Sequence, residues 1–495
     1  MKNNFKVYYV ASEVTPFVGG GRLAATAGAL PKALKDLGHD IRMMMPNYRG
    51  VNERKYVLRD VIRLKDMPIT FKQEQLRASG KSAFLPDSKV QIYFLDYKPY
   101  FDRLSIYHDP KTKKPYADNG ERFLFFALGC LETLKLLHWQ PDVIHCNDWQ
   151  TALIPVLLRT VYKNDPFFKN VHVLLTVYNF AEQGDFSAEV LAQGNIPGAQ
   201  FYPGVEESLN GKANFLKAGL LNSDLVNIAG EAYAKSVQHD AAMTHGLADV
   251  LRLRRKSLVG VSGGVDTMLW NPETSLHLET HFNSNTLAGK LQGKKAFCEA
   301  NALYFEEKTP LLVIQSKSNS SHAADEVEKV LQRLLHKTQI VLLGVCDGKL
   351  QKAAAKFMKS HAGRFLHKAE FDEQFRHRLL AAADLFLLPV CDDYEPESYL
   401  QAMQYGALPI TFDHLAYTEA VVDYADKPNA ATGFLYSSCK GEAMAKAVES
   451  AASAFVDKKS WVKIVKNAMK KDNSWNSAAE KYTRLYTQLV MNGKK

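Results

Sequence analysis

Residues 6–38 read KVYYVASEVTPFVGGGRLAATAGALPKALKDLG. Residues 6–12 are largely β-branched, aromatic or small and contain no breaker, so they predict a buried strand. Three consecutive glycines stand at 19–21, and residues 23–37 predict a helix that ends at Gly38. The free backbone N–H groups and the dipole of such a helix both face the glycine loop. The stretch therefore predicts a strand, loop and helix that together form an anion-binding site.

Strand and helix patterns alternate along the whole chain, which is typical of a parallel sheet covered by helices. The pattern restarts after residue 258, and glycines and a proline between residues 256 and 272 mark the joint. We expect a first domain at 1–257, a second at 258–473, and a terminal helix at 474–495. Ligands of doubly wound domains bind at the carboxyl ends of the strands. The strands are predicted at residues 6–12, 40–45, 90–95, 143–145, 171–177, 225–228, 311–315, 340–343, 385–389 and 408–411.

Composition places the chain among ordinary globular proteins. Its 495 residues are 46% hydrophobic and 23% charged, and its formal net charge is +9. The basic clusters at 111–114 and 252–256 are short, which favours solvated surface over a nucleic-acid interface. We therefore expect no nucleic-acid partner, while the modest positive balance suits a protein that meets small anionic ligands.

The cysteine pattern excludes two further classes. None of the six cysteines forms a C-x-x-C pair, so the sequence predicts neither a zinc site nor a disulfide framework. No apolar run approaches the roughly 18 residues of a membrane span. A strand that begins near residue 5 leaves no room for a targeting peptide, and we expect a cytoplasmic protein without a membrane partner. The cysteines stand at positions 130, 146, 298, 346, 391 and 439.

Eight segments, in order, resemble those of bacterial glycogen synthases and plant starch synthases. The opening of that family typically reads SE-x-x-P-F-x-K-x-G-G-L-A-D-V-x-G-A-L-P, and residues 214–219 match its NFLKAG run letter for letter. The resemblance implies a GT-B architecture, in which two Rossmann-like doubly wound domains face each other across a cleft. The matching segments are 12–31, 100–103 (YFDR), 118–123 (DNGERF), 145–150 (HCNDWQ), 214–219, 246–252, 263–272 and 472–475.

The resemblance also implies a reaction. The family transfers glucose from ADP-glucose to the non-reducing end of an α-1,4-glucan with retention of the anomeric configuration. It needs no bound metal or cofactor, so the protein itself must neutralise the departing diphosphate. In the family the terminal helix packs back on the first domain. The implied partners are ADP-glucose and α-glucan.

The donor-binding positions of the family are largely altered here. The family's lysine falls on Gly19, beside the shared Gly21, and its second motif glycine falls on Arg22. We consider Arg22 either as a relocated phosphate ligand or as an exposed residue at the helix start. Three more positions that the family uses hold a different residue here. Lys317 stands in place of an arginine, His322 in place of a lysine, and Gly263 in place of an asparagine. Lys317 keeps a charge without the arginine fork, and His322 is more simply a surface histidine.

Some catalytic and acceptor positions retain the family's residue, and one is replaced. Glu395 retains the family's glutamate in an E-P-C-G-L motif that here reads EPESY, although an acidic loop would also place a solvated carboxylate there. Tyr178 replaces the active-site histidine, and Asn179 beside it is retained. Asp148 and Trp149 belong to the HCNDW segment, and we consider them either as acceptor-site residues or as a helix cap and a core tryptophan.

Three functions remain open from these residues. The leading hypothesis is a synthase homologue with a degraded donor site, inactive or weakly active, that binds α-glucan or an intact glycogen synthase. The second is an active transferase in which Arg22, Lys317 and Tyr178 replace the usual ligands. The third is a transferase that uses another nucleotide sugar. The substitutions that motivate the first hypothesis cluster at phosphate and glucosyl contacts, where loss of one donor typically costs about 10²–10³ in rate.

Overall fold

The computed structural model describes residues 4–205, 209–241, 243–315, 321–346, 348–389, 396–413 and 417–492. The chain forms two compact units, one of Met1–Gly263 with Trp475–Lys495 and one of Gly264–Ser474. Each unit has its own hydrophobic core. The predicted α/β class with parallel sheets is confirmed.

The first unit is built on one large sheet. Its strand order is β12-β11-β8-β7-β1-β2-β6-β5-β3, with β4 paired to β5. The pairs from β12 to β6 are parallel, whereas β5 pairs antiparallel with β6, β3 and β4. The small ribbon of β9 and β10 stands apart. The strands are β1 Lys6–Val10, β2 Asp40–Pro46, β3 Arg59–Asp60, β4 Met67–Phe71, β5 Glu74–Phe84, β6 Gln91–Asp96, β7 Val143–Asn147, β8 His172–Val177, β9 Asp185–Ser187, β10 Lys212–Asn214, β11 Leu225–Ile228 and β12 Leu258–Gly260.

Helices cover this sheet, and its strand order reverses next to β1. Because β2 lies on one side of β1 and β7 on the other, a crevice forms at the carboxyl ends of β1 and β7. Residue 148 follows β7 directly, and the glycine loop at 19–21 lies between β1 and the next helix. The helices up to residue 253 are α1 Arg22–Asp36, α2 Lys98–Phe101, α3 Asn119–Leu136, α4 Leu153–Arg159, α5 Val190–Gln193, α6 Phe215–Asn222, α7 Glu231–Ser236 and α8 Ala248–Leu253.

The second unit has a parallel sheet of order β15-β14-β13-β16-β17-β18. Its switch point lies between β13 and β16, which are neighbours although β14 and β15 come between them in the chain. The strands are β13 Leu311–Gln315, β14 Gln339–Leu343, β15 Phe365–Lys368, β16 Leu385–Leu387, β17 Leu408–Phe412 and β18 Phe434–Tyr436. The helices are α9 Ala288–Ala300, α10 Ser321–Leu334, α11 Gly348–Ser360, α12 Glu373–Ala382, α13 Pro396–Gln404, α14 Gly441–Val456 and α15 Lys458–Lys470.

The terminal helix, α16 Trp475–Asn492, belongs to the first unit. The Tyr486 hydroxyl lies 2.9 Å from Nδ1 of the buried His145, and Asn227 donates to the Tyr482 hydroxyl over 2.9 Å. These buried polar contacts fix the position of α16 along the sheet. None of the helices in the described residues has the length and apolar character that a membrane span requires.

The cysteines depart from the sequence expectation at one position. Cys130, Cys146, Cys298 and Cys346 are buried. Cys439 is disulfide-bonded, although the spacing of the cysteines predicted no disulfide framework. Spacing reveals only partners that are close in sequence, and no other cysteine lies near position 439.

Candidate functional site

The glycine loop leads into an open helix N-terminus. Gly21 is the residue that precedes α1, and its φ of 87° is one that glycine adopts readily. A Cβ atom at Gly20 or Gly21 would meet no atom within 4 Å. The first turn of α1 carries no acidic residue, and no side chain caps its N–H groups. An uncapped helix N-terminus of this kind can hydrogen-bond an anion or a hydroxyl group.

Glu13 fills the space beside Gly19. A Cβ atom at position 19 would lie 2.7 Å from Cβ of Glu13, and Gly19 has a φ of 97°. The Glu13 carboxylate accepts hydrogen bonds from the Tyr107 hydroxyl at 2.5 Å and from the Gly20 N–H at 3.2 Å. Burial raises the pKa of Glu13, and these two donors oppose that shift. The family's opening motif shares this glutamate, whereas position 19 beside it holds glycine in place of the family's lysine. The sequence analysis did not identify the contact between Glu13 and Gly19.

Asp148 follows β7 and turns back toward β8. Its φ of 55° is strained for a residue with a side chain, and its Oδ1 accepts from the Tyr178 N–H at 2.8 Å. Only 9% of the residue is exposed. Burial raises the pKa of Asp148 to about 7, against the opposing effects of the Tyr178 N–H and the Arg22 guanidinium. Asp148 is therefore poised between its neutral and charged forms near pH 7.

The Tyr178 hydroxyl points into the sheet. It donates to Oδ1 of Asn147 over 3.1 Å, and the Tyr9 hydroxyl donates to the same oxygen over 3.0 Å. The Arg22 guanidinium lies 5.4 Å from the centre of the Tyr178 ring, within the range of a cation–π contact. Arg22, Asp148 and Tyr178 therefore meet at the carboxyl ends of β1, β7 and β8. Burial raises the pKa of Tyr178 well above its usual range, so its hydroxyl stays protonated.

The two acceptor candidates differ in accessibility. Trp149 is 6% exposed, and its ring packs against Phe123 at 5.0 Å and Phe186 at 5.5 Å between ring centroids. That position matches a core tryptophan. Asn179 is exposed, and its Oδ1 accepts from the Ala181 N–H at 2.8 Å, which leaves its amide N–H groups facing outward for a hydroxyl partner.

Gly263 lies against the start of α16. A Cβ atom there would come within 3.1 Å of the Trp475 ring, which is tighter than ordinary packing. The family's asparagine would therefore need the Trp475 ring to move. The position provides only backbone groups to a ligand.

The second unit holds the remaining candidates. Lys317 and Glu395 lie outside the described residues, as does the side chain of His322 at the start of α10. Arg376 on α12, which the sequence analysis missed, reaches the switch point of this sheet. Its guanidinium donates to Gln401 Oε1 at 2.9 Å, to Ser398 Oγ at 3.1 Å and to Gln315 Oε1 at 3.4 Å. A fork-shaped cation thus stands at the carboxyl end of β13.

Glu397, the additional acidic residue of the altered EPESY motif, forms a hydrogen bond within its own helix. Gln401 Nε2 donates to Glu397 Oε1 over 3.1 Å, one turn further along α13. The carboxylate lies at the helix N-terminus, where the dipole stabilises a negative charge. An anionic ligand at this end of α13 would meet that charge.

Known proteins match the chain over nearly its full length. Residues 6–253 match the family model for the starch synthase catalytic domain. The glycogen synthase of Chlorobium phaeobacteroides is 32% identical over 490 residues, which cover 99% of each chain. That of Geotalea daltonii is 34% identical over 484 residues, or 97% of this chain and 98% of the relative. Among solved structures, the catalytic domain of starch synthase IV from Arabidopsis thaliana, bound to ADP and acarbose, is similar with a TM-score of 0.86 and 25% identity, covering 99% of this chain and all of that one.

Proposed function

The chain belongs to the glycogen and starch synthase family, and we propose that it binds α-glucan while its transfer of glucose from ADP-glucose is lost or very weak. The observation that carries this proposal is the position of Glu13, whose carboxyl group fills the space beside Gly19. A family member that transfers glucose has a lysine at this position for the donor. Glycine at position 19 removes that cation while the buried Glu13 carboxyl group, which the family shares, remains, so the loop no longer stabilises the departing diphosphate in this way.

Two buried carboxyl groups at this site favour a neutral ligand, and the Arg22 guanidinium opposes them. Burial raises the pKa values of Glu13 and Asp148, and the charge of Glu13 further raises the pKa of Asp148. A diphosphate that approached the start of α1 would increase the cost of ionising both. Sugar hydroxyls carry no charge and hydrogen-bond well to carboxyl groups and backbone N–H groups. The site therefore fits a glucan better than a nucleotide.

The Arabidopsis relative supplies the probes for this proposal. It is bound to ADP and to acarbose, a pseudo-oligosaccharide that resembles an α-glucan. In this chain Asn179 is the accessible residue for the sugar side, since Trp149 is enclosed by aromatic rings. The proposal therefore separates the two ligands: acarbose should bind and ADP should not.

A second candidate is an active transferase with relocated cations. Arg22 beside Tyr178 is a cation at the carboxyl ends of the strands of the first unit. If Arg22 takes over the donor role of the lost lysine and Glu395 keeps the family's catalytic role, Arg22→Ala and Glu395→Ala each abolish transfer. Indifference of transfer to both substitutions would reject this candidate.

Isothermal titration of the full chain with ADP and with acarbose tests the leading proposal. We expect saturable heat with acarbose and none with ADP at the same concentrations. The catalytic domain of starch synthase IV from Arabidopsis thaliana, whose structure is bound to both ligands, serves as a positive control for both titrations. Saturable heat with ADP would overturn the loss of the donor site, and its sensitivity to Arg22→Ala would then favour the second candidate. Heat with neither ligand would overturn the glucan-binding role.

A further inference from the structure

Two histidines and a glutamate meet on the surface of the second unit. Each of His277, Glu373 and His377 offers one ligand atom, and these atoms all lie within 4.8 Å of one another. Glu373 and His377 are one helical turn apart on α12, so their side chains share a face. His277 comes from the loop before α9. Imidazole nitrogens and a carboxylate oxygen are the ligand set of many zinc sites.

His377 is the residue that sets this cluster apart from an ordinary surface group. It is fully buried, and its Nδ1 lies 2.6 Å from the Tyr405 hydroxyl and 3.2 Å from Ser275 Oγ. The Trp270 ring stacks on the imidazole, with centroids 4.2 Å apart and planes 7° apart. The imidazole is therefore held in one orientation. A partner on one ring nitrogen that orients the other is typical of histidines that bind metals.

The other nitrogen of His377 has no hydrogen-bond partner among the described residues. Nε2 is buried, and it faces Glu373 Oε1 at 3.7 Å, beyond hydrogen-bond distance. The His277 ring lies on the same side, with its centroid 4.7 Å from that of His377. A buried polar atom without a partner normally costs free energy, which a ligand at this point would recover.

We propose that His277, Glu373 and His377 bind one divalent transition-metal ion, for which Zn²⁺ is the best match. With metal–ligand bonds of about 2.0–2.1 Å, the ligand atoms of a tetrahedral site lie about 3.3 Å apart. The exposed Glu373 and the half-buried His277 therefore close in by roughly an ångström onto the fixed His377. Three protein ligands leave the fourth position for water.

The surroundings are compatible with a cation. Arg378 is engaged by other partners, since its Nε donates to the His277 carbonyl oxygen at 3.1 Å and its guanidinium lies 3.6 Å from Glu279 Oε1. The bound ion would join the loop before α9 to α12. It would stabilise the folded form of this unit, independently of the donor and acceptor sites proposed above.

Titration of the full chain with Zn²⁺ after removal of metal tests the proposal. We expect one tight equivalent and a higher melting temperature with Zn²⁺. Because loss of an outer contact alone typically weakens metal binding about 10–100-fold, Glu373→Gln and His277→Asn should each weaken it by about 100-fold or more. Glu279→Gln changes a neighbouring carboxylate outside the cluster and should leave the affinity unchanged.

A second measurement uses Co²⁺ in place of Zn²⁺. The tetrahedral site predicts intense visible absorption of the bound Co²⁺, which both Glu373→Gln and His277→Asn abolish. Both substitutions replace accessible side chains, so circular dichroism should show an unchanged fold. Absence of a tight equivalent, or affinity that neither substitution alters, would overturn the proposal.

Discussion

The Glu13 carboxyl group occupies the volume that a side chain at Gly19 would need, with Cβ of Glu13 2.7 Å from the position of a Cβ at 19. The φ of 97° at Gly19 reinforces the exclusion, since residues with a side chain rarely adopt it. The loop is therefore built around a glycine and a buried carboxyl group. Restoring the family's lysine requires a different loop conformation as well as a new side chain.

Gly19→Lys should destabilise the protein without creating a donor site. Collision with Glu13 and the unfavourable φ together should cost about 1–3 kcal/mol in the free energy of unfolding. Urea denaturation of the full chain, followed through the unfolding transition of the first unit, measures this cost. Gly20→Lys is the matched control, because position 20 faces open space, and it should change stability by less than about 0.5 kcal/mol. Equal costs for the two substitutions would contradict the assigned role of Glu13.

Stability should depend on the ionisation of Asp148. Burial raises its pKa from 3.8 to about 7, so the folded protein binds more protons than the unfolded chain between these values. The contribution of Asp148 to the free energy of unfolding therefore falls as pH rises through this range. Asp148→Asn removes the titration and should become more stable relative to the wild type at pH 7.5 than at pH 5. Asp87→Asn, at an exposed turn, is the control, and an equal difference at both pH values would refute the shift.

Tyr9 and Tyr178 should each be able to satisfy the same buried oxygen when the hydroxyl of the other is removed. Because both hydroxyls donate to Oδ1 of Asn147, either Tyr→Phe substitution leaves that buried oxygen one donor. Each single change should cost about 0.5–1.5 kcal/mol. The double variant leaves the oxygen without either donor, and its cost should exceed the sum by about 1 kcal/mol or more. A double-mutant cycle by urea denaturation measures the excess, and additivity would show that the oxygen finds another donor.

Glucan affinity should depend on Asn179 and not on Trp149. Asn179→Ala removes an exposed amide and should weaken retardation of the protein in glycogen-containing gels, by about fivefold in affinity for one lost hydrogen bond. Trp149→Phe keeps an aromatic ring within the cluster and should lower stability while affinity stays the same. A loss of affinity in Trp149→Phe equal to that in Asn179→Ala would place the indole in the binding site.

The main sheets could be read from the sequence because their strands are short, apolar and bounded by breakers. Leu225–Ile228 and Leu311–Gln315 were predicted with the bounds that the structure has. The antiparallel extension β3 to β5 was missed. There Met67–Phe71 alternates between buried and exposed residues, and Glu74–Phe84 carries polar residues along most of its length, so neither has a continuous apolar run.

The candidate site was only partly predictable. Arg22, Asp148 and Tyr178 could be named because they fall on positions of the motifs that the chain shares with the glycogen and starch synthase family. Glu13 could not be placed beside Gly19, because that contact depends on the path of the loop between them. His277 and His377 are 100 positions apart, and only the packing of the loop before α9 against α12 brings them together.

Transfer of labelled glucose from ADP-glucose to glycogen by the purified, folded full chain tests the central claim most directly. The glycogen synthase of Geotalea daltonii, assayed in parallel, sets the rate of a related protein. We predict no incorporation above background, or a rate at least about 10³ below that of the relative, because several donor contacts are altered together. Robust incorporation by the wild type would contradict the claim that the site around Glu13 and Gly19 has lost its donor chemistry.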